Sequence, residues 1–310
     1  MPDNDDDVFA DADVRDTQAL DALRERLRTE RASGSGADLA ARRIARDARG
    51  AKLPLPPGWS ATPFDLGRPG ELLRGPSAAL KRAILYLHGG GYFMGSLESH
   101  RALAAQLGHA AQSEVFTLGY RLAPENPFPA ALDDALIAYR RLLEMGQDPQ
   151  ALVLMGDSAG GGLVFSLAIA ARAAGLPAPH AIVALSPWLD LTMSGDSIRT
   201  KADDDPSLTP AGMAGAAQLY LAGADPRDPR ASPLFANLKG LPPTLIHVGG
   251  DEILVSESER FVTAAQAVGV DATVEIWPGL FHVWHGYFDE LEEGREAISE
   301  IGAWLKRRWK

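Results

Sequence analysis

The chain has 310 residues with 41 acidic against 30 basic side chains, a formal charge of −11, and no cysteine. That length gives room for one large or two small domains with a buried core. The charge argues against a nucleic acid or a membrane surface as partner, and the missing thiols exclude disulfides, thiolate metal sites and cysteine nucleophiles.

Residues 1–14 are too rich in aspartate to pack and are expected to form a disordered acidic tail. They lack the basic and apolar regions of a secretion signal, and no apolar run reaches membrane-spanning length, so a cytoplasmic location is expected. A helix begins at Asp16 with Leu20, Leu23 and Leu27 on one face, and Ser33-Gly34-Ser35-Gly36 ends it. A second helix, Asp38 to Arg49, has a thinner apolar face in Leu39 and Ile44, so the pair needs something to lie against. The proline-rich Leu53 to Gly58 is an extended linker, and Trp59 to Leu66 with Glu71 to Leu73 read as a short hairpin.

An alternation follows. Strands are expected at Ala83–Leu87, Glu114–Gly119, Leu152–Met155, His180–Leu185, Thr244–Val248 and Thr273–Trp277, and helices at Ser99–Ala111, Ala130–Met145, after Ser158, Ser256–Val268 and Glu290–Arg308. This pattern predicts an α/β fold, a mostly parallel twisted sheet flanked by helices on both faces. Between Leu189 and Leu241 there is no clear strand, only a helical patch from Pro210 to Leu221, which reads as an insertion over the sheet end. The expected division is therefore a tail at 1–14, N-terminal cap helices at 15–52, an α/β domain from 53–190 and 236–310, and a cap insertion at 191–235.

The chemistry centres on Gly156-Asp157-Ser158-Ala159-Gly160. This G-x-S-x-G follows an apolar strand and precedes small residues that open a helix, which places Ser158 on a tight turn above the sheet. Neither glycine-rich phosphate-binding pattern fits the same stretch. His88-Gly89-Gly90-Gly91 follows another strand, where glycines let backbone N–H groups converge on a developing negative charge. Gly89 and Gly90 are the expected donors, with the N–H of Ala159 as the third. A serine needs a base to take its proton and an acid to orient that base.

Taken together, several motifs resemble the hormone-sensitive-lipase family of α/β-hydrolases, in its bacterial carboxylesterase branch. They are His88 to Gly91, Tyr120-Arg121-Leu122-Ala123-Pro124-Glu125, Phe128-Pro129-Ala130-Ala131, Gly156 to Gly161, Ser186-Pro187-Trp188, Asp251-Glu252 and Gly279-Leu280-Phe281-His282. The resemblance runs from about residue 84 to 284. It implies an α/β-hydrolase fold with a helical cap and a serine carboxylesterase that needs no cofactor or metal and acts on a small ester or lactone.

The required chain order is serine, acid, histidine. Asp251 matches the family's acid, with Glu252 and Glu257 as rivals. His282 has the family's spacing from Gly279, while His285 is expected at the surface or pocket rim. His88, His100, His109, His180 and His247 precede the acid and are expected to be structural. The resemblance gives Glu125 and Asp157 supporting roles in fixing the loops, each also a possible partner of a nearby arginine such as Arg121. Tyr92, Phe93, Met94, Trp188, Leu189 and Trp284 flank these loops and could line a substrate pocket. A lactone hydrolase with the same residues is the close alternative, and a homodimer stays open. A non-catalytic binding protein, like the plant hormone receptors that resemble this family, would lack the histidine, which is present here.

Overall fold

The computed structural model describes residues 17–33 and 38–309, so the acidic stretch at 1–14 lies outside the described residues. In chain order the elements are α1 (Thr17–Ser33), α2 (Leu39–Gly50), β1 (Ser60–Asp65), β2 (Pro69–Arg74), β3 (Ala79–Leu87), α3 (Leu97–Ala111), β4 (Ser113–Leu118) and α4 (Ala130–Glu144). They continue with β5 (Leu152–Asp157), α5 (Ser158–Ala173), β6 (Ala181–Leu185), α6 (Ser197–Thr200), α7 (Pro210–Leu221), β7 (Thr244–Gly249), α8 (Val255–Ala267), β8 (Ala272–Trp277) and α9 (Glu292–Arg308).

The strands form one sheet in the order β1-β2-β4-β3-β5-β6-β7-β8, antiparallel over the first three and parallel from β4 to β8. Strands β4 to β7 are buried along their whole length, as a sheet covered on both faces requires. Side chains alternate between two cores with the two-residue period of a strand. Leu85, Leu87, Leu154, Ile182 and Ile246 join α4, α5 and α8 on one face, whereas Ile84, Tyr86, Val153, Met155, Val183 and Leu245 meet α3 and α9 on the other. Because β3 and β5 to β8 run in parallel, the loops carrying Gly89, Ser158, Glu252 and His282 all leave the same end of the sheet.

The N-terminal helices dock over that end by two different means. On α1, the buried Leu23 and Leu27 pack with Leu280, Phe281 and Trp284, the residues flanking His282. Ile44 on α2, expected to face the body, is 69% exposed. Its neighbours explain the difference, because α2 is held by polar and close-packed contacts rather than by an apolar stripe. Arg43 donates to the Phe93 and Ala123 carbonyls, Arg49 stacks on the Tyr287 ring, and Gly50 lies so close to the Ser99 backbone that a Cβ would overlap it. Replacing Leu23 and Leu27 together with alanine is expected to cost about 2–5 kcal/mol per site. Thermal unfolding and KM measured on the double variant check this: a lower midpoint with a raised KM is expected, and no change in either would mean that α1 is an independent appendage.

Candidate active site

Ser158 sits at φ +54°, a left-handed conformation rarely adopted by a non-glycine residue, at the junction of β5 and α5. The glycines beside it permit the turn. A Cβ on Gly156 would stand 2.6 Å from the Leu87 and Gly160 carbonyl oxygens, and one on Gly160 would overlap the Leu87 carbonyl. The turn presents Ser158 Oγ to His282, whose Nε2 lies 2.9 Å away.

The other ring nitrogen corrects the expected acid. His282 Nδ1 is 3.1 Å from Glu252 Oε2, and Asp251 does not touch the ring. Asp251 turns instead to α1 and the segment between β6 and β7, where its carboxylate accepts from Arg24 Nη1 at 2.9 Å and Lys201 Nζ at 3.4 Å. Glu252, its neighbour on the same turn, points inward and is fully buried. The third candidate, Glu257, is also buried, but its Oε1 accepts from the Leu189 amide and not from the imidazole. Burial raises the pKa of Glu252, a trend opposed by His282 and by the Ser186 hydroxyl. Burial lowers the pKa of His282, but its hydrogen bond to Glu252 and the charges of Glu252, Asp205 and Asp157 outweigh this and raise it overall.

His285 is not at the surface. It is fully buried with Nε2 3.3 Å from His247 Nδ1, and burial holds its pKa well below the usual range. Neither histidine reaches Ser158. Together with Glu300, His247 and Glu275 bring three ligand-type atoms within 4.8 Å of one another among the described residues, but His247 Nε2 is already paired with Glu275 at 2.8 Å. None of the three belongs to the serine, histidine and glutamate array.

The glycine loop also departs from expectation at one position. The Gly89 N–H donates to Asp157 Oδ1 at 2.9 Å, so it is committed to holding the loop. The loop then turns through Gly90 and Gly91 at φ +121° and +62°, and no acceptor for either amide occurs among the described residues. Ala159 lies in the first turn of α5, where amides have no intrahelical partner. The donor set available to an oxyanion is therefore Gly90, Gly91 and Ala159. The expected pair was Gly89 and Gly90; the capture of Gly89 by Asp157, which turns the choice to Gly91, carried no sequence signal.

The supporting groups have separate tasks. Asp157 is buried, accepts from Tyr86 Oη at 2.6 Å, and lies 3.5 Å from His100 Nε2. Burial alone would raise its pKa, but His100 and the Tyr86 hydroxyl pull it well below the carboxylate range. His88 stacks on Tyr120 at 4.2 Å, its carbonyl accepts from Tyr120 Oη, and burial drives its pKa down to about 3. It braces the loop as a neutral ring. Glu125 pairs with Arg43 of α2, not with Arg121, which is taken by Asp134. Arg43, which nothing in the sequence singled out, thus ties α2 to the loops that carry Phe93, Ala123 and Glu125.

Of the six pocket candidates, Trp284 is displaced from that role. It packs with Leu23 and Leu27, lies 6.4 Å from the His247 ring centroid, and donates from Nε1 to the Glu293 carbonyl. Trp188, Leu189 and Tyr92 are buried in the main core; the Trp188 amide donates to the Ser158 carbonyl, and Tyr92 stacks on Tyr220 of α7 at 3.7 Å. Phe93 and Met94 stay beside the oxyanion loop, with the Phe93 ring and Ala216 of α7 both against Gly91.

A serine on a strained strand-to-helix turn, backed by an imidazole and a buried carboxylate and faced by unengaged amides, defines a serine hydrolase built on an α/β sheet. The sequence profile of the α/β hydrolase fold family matches residues 84–286. An acetyl-hydrolase from Streptomyces hygroscopicus is 49% identical over 225 residues, 73% of this chain and 75% of that protein. An esterase from Acinetobacter venetianus is 35% identical over 240 residues, 76% of this chain and 79% of that protein. Among solved structures, EstE5 soaked with p-nitrophenyl butyrate superposes with a TM-score of 0.89 at 43% identity, covering 94% of this chain and 98% of that one. A hormone-sensitive lipase from a metagenome library gives 0.91 at 36% identity over 94% and 98%. The chain belongs to the α/β-hydrolase family, in its bacterial hormone-sensitive-lipase branch, and is a carboxylic ester hydrolase.

Proposed function

We propose that this hydrolase is a carboxylesterase for small, soluble esters of short- to medium-chain acids, acting through an acyl-serine intermediate. The observation that carries the reading is the continuous array from Ser158 Oγ to His282 Nε2 at 2.9 Å and from His282 Nδ1 to Glu252 Oε2 at 3.1 Å. With Nδ1–H donating to Glu252, Nε2 is left to accept the serine proton as Oγ attacks the ester carbonyl. The tetrahedral oxyanion is received by the amides of Gly90, Gly91 and Ala159, fixed dipoles that need no reorganisation and are each worth about 10²–10³ in rate. The imidazolium then protonates the leaving alcohol, and water enters by the same route in reverse to free the acid.

The chain-length preference rests on α7. Met213, Ala216 and Tyr220 of this helix are buried with Phe93 and flanked by Met94, which supports a short acyl slot beneath the cap. Each methylene that fits adds about 0.8 kcal/mol of binding, roughly fourfold in kcat/KM, until the slot ends. An aryl-ester series from acetate to palmitate, run beside simple lactones, tests this: the optimum is expected at short to medium acyl groups. A monotonic rise to palmitate with activation at an oil–water interface would contradict the reading, and preference for lactones would favour the alternative built from the same residues. A cytoplasmic site of action and a small-molecule partner, rather than nucleic acid, fit the charge of −11. No helix among the described residues is long and apolar enough to cross a membrane.

A further inference from the structure

The insertion between β6 and β7 carries a buried carboxylate that bonds none of the three side chains of the array. Asp205 is fully buried and its carboxylate meets only neutral donors: Oδ1 accepts from the Ser207 and Leu208 amides at 2.8 and 2.9 Å, and Oδ2 accepts from the Ile253 amide at 3.0 Å. Ile253 is the residue after Glu252. The segment is pinned in turn by α1, because Arg31 Nη1 donates to the Asp205 and Leu208 carbonyls and Arg24 Nη2 to the Asp204 carbonyl.

We propose that Asp205 is a positioning residue for the ester-cleaving array: it fixes the backbone that carries Glu252, and its charge, brought by the insertion to the turn that follows Glu252, favours the imidazolium formed during attack. Three amides donate to it, yet among the described residues no arginine or lysine side chain bonds the carboxylate, so its charge is not cancelled by a direct ion pair. Although Arg31 bonds the Asp205 backbone carbonyl, the charge that acts on the carboxylate most is that of His282: the two groups act on each other, drawing Asp205 down against the rise that burial imposes and pushing His282 up. The other groups facing His282 are Glu252, Asp157 and His285, the last held uncharged by burial. Asp251 and Asp204 with Arg24 and Lys201, two carboxylates against two cations, form a charge-balanced set at the outer edge. The cap would thereby do more than cover the substrate, since the hydrolase domain alone would lack one of the three carboxylates that act on the ring.

The inference rests on His282 as the base, and the experiment separates the two. Asp205→Asn and Asp205→Ser are compared with the parent enzyme in kcat/KM against pH on a soluble aryl ester, together with thermal unfolding. A neutral imidazole is needed to accept the serine proton, so activity falls as pH drops through the His282 pKa, and removing a nearby negative charge lowers that pKa. The expected result is that the acidic limb moves to lower pH in both variants while the plateau falls about tenfold. A lowered plateau with the limb unmoved would overturn the proposal, since a purely structural loss does not shift a limb. Failure of both variants to fold would overturn it as well, by showing that the carboxylate serves the fold. If instead the parent has no acidic limb, or His282→Ala keeps activity, the assignment of the base fails first.

Discussion

Ser158→Ala and His282→Ala each lower kcat by about 10⁴–10⁶ while leaving the thermal midpoint close to the parent's. The size follows from the way the two groups act as a unit. Without Oγ there is no nucleophile at the 2.9 Å contact, and without the imidazole the hydroxyl has no acceptor for its proton. What survives is binding and the Gly90, Gly91 and Ala159 amides. His285→Asn gives a different outcome: it lowers stability, because it opens a buried contact with His247, and changes kcat far less. Steady-state kinetics with thermal unfolding checks the set, and a kcat loss for His285→Asn as deep as that for His282→Ala would move the base.

The second large effect separates two adjacent carboxylates. Glu252→Gln keeps the side-chain shape but removes the charge that holds the Nδ1–H tautomer and stabilises the imidazolium, a change that costs about 10⁴ in kcat where an acid of this kind is neutralised. The acidic limb of kcat/KM also moves to lower pH, because the hydrogen bond to Glu252 is the largest of the influences raising the His282 pKa. Asp251→Asn loses partly exposed ion pairs to Arg24 and Lys201, contacts worth about 0–1 kcal/mol, so its effect is confined to a few-fold in KM or a small drop in midpoint. Kinetics on the two variants decides the assignment: the reverse ranking would return the acid to Asp251.

The choice between these neighbours marks the boundary of what the amino-acid order discloses. The elements themselves were legible, since apolar runs such as Leu152 to Met155 and the periodic leucines of α1 state their burial directly, and α7 falls on its expected residues Pro210–Leu221. The Ser158–His282 contact joins the two residues that the motifs marked, the serine between glycines whose Cβ would strike neighbouring carbonyls and the histidine by its spacing from Gly279. Asp251 and Glu252, however, share one turn, and which faces inward depends on Arg24 and Lys201, which reach Asp251 from α1 and the insertion. Similarly, Gly89 and Gly91 are equivalent in a run of three until the buried Asp157 captures one amide. Ile44 read as a docking residue because periodicity counts apolar side chains, whereas α2 docks through Arg43, Arg49 and Gly50, whose partners lie far along the chain. Polar contacts between distant segments leave no local period to read.

The claim that Ser158 is the nucleophile activated by His282 is tested most directly by stoichiometric labelling with a p-nitrophenyl alkylphosphonate, which places a stable group on an activated serine and releases p-nitrophenol. One equivalent of p-nitrophenol per chain is expected, with peptide mass mapping placing the phosphonate on Ser158 alone. Ser158→Ala should release none, and His282→Ala should react far more slowly. Full labelling at another residue, or a labelled Ser158 in an enzyme that keeps its esterase activity, would contradict the account.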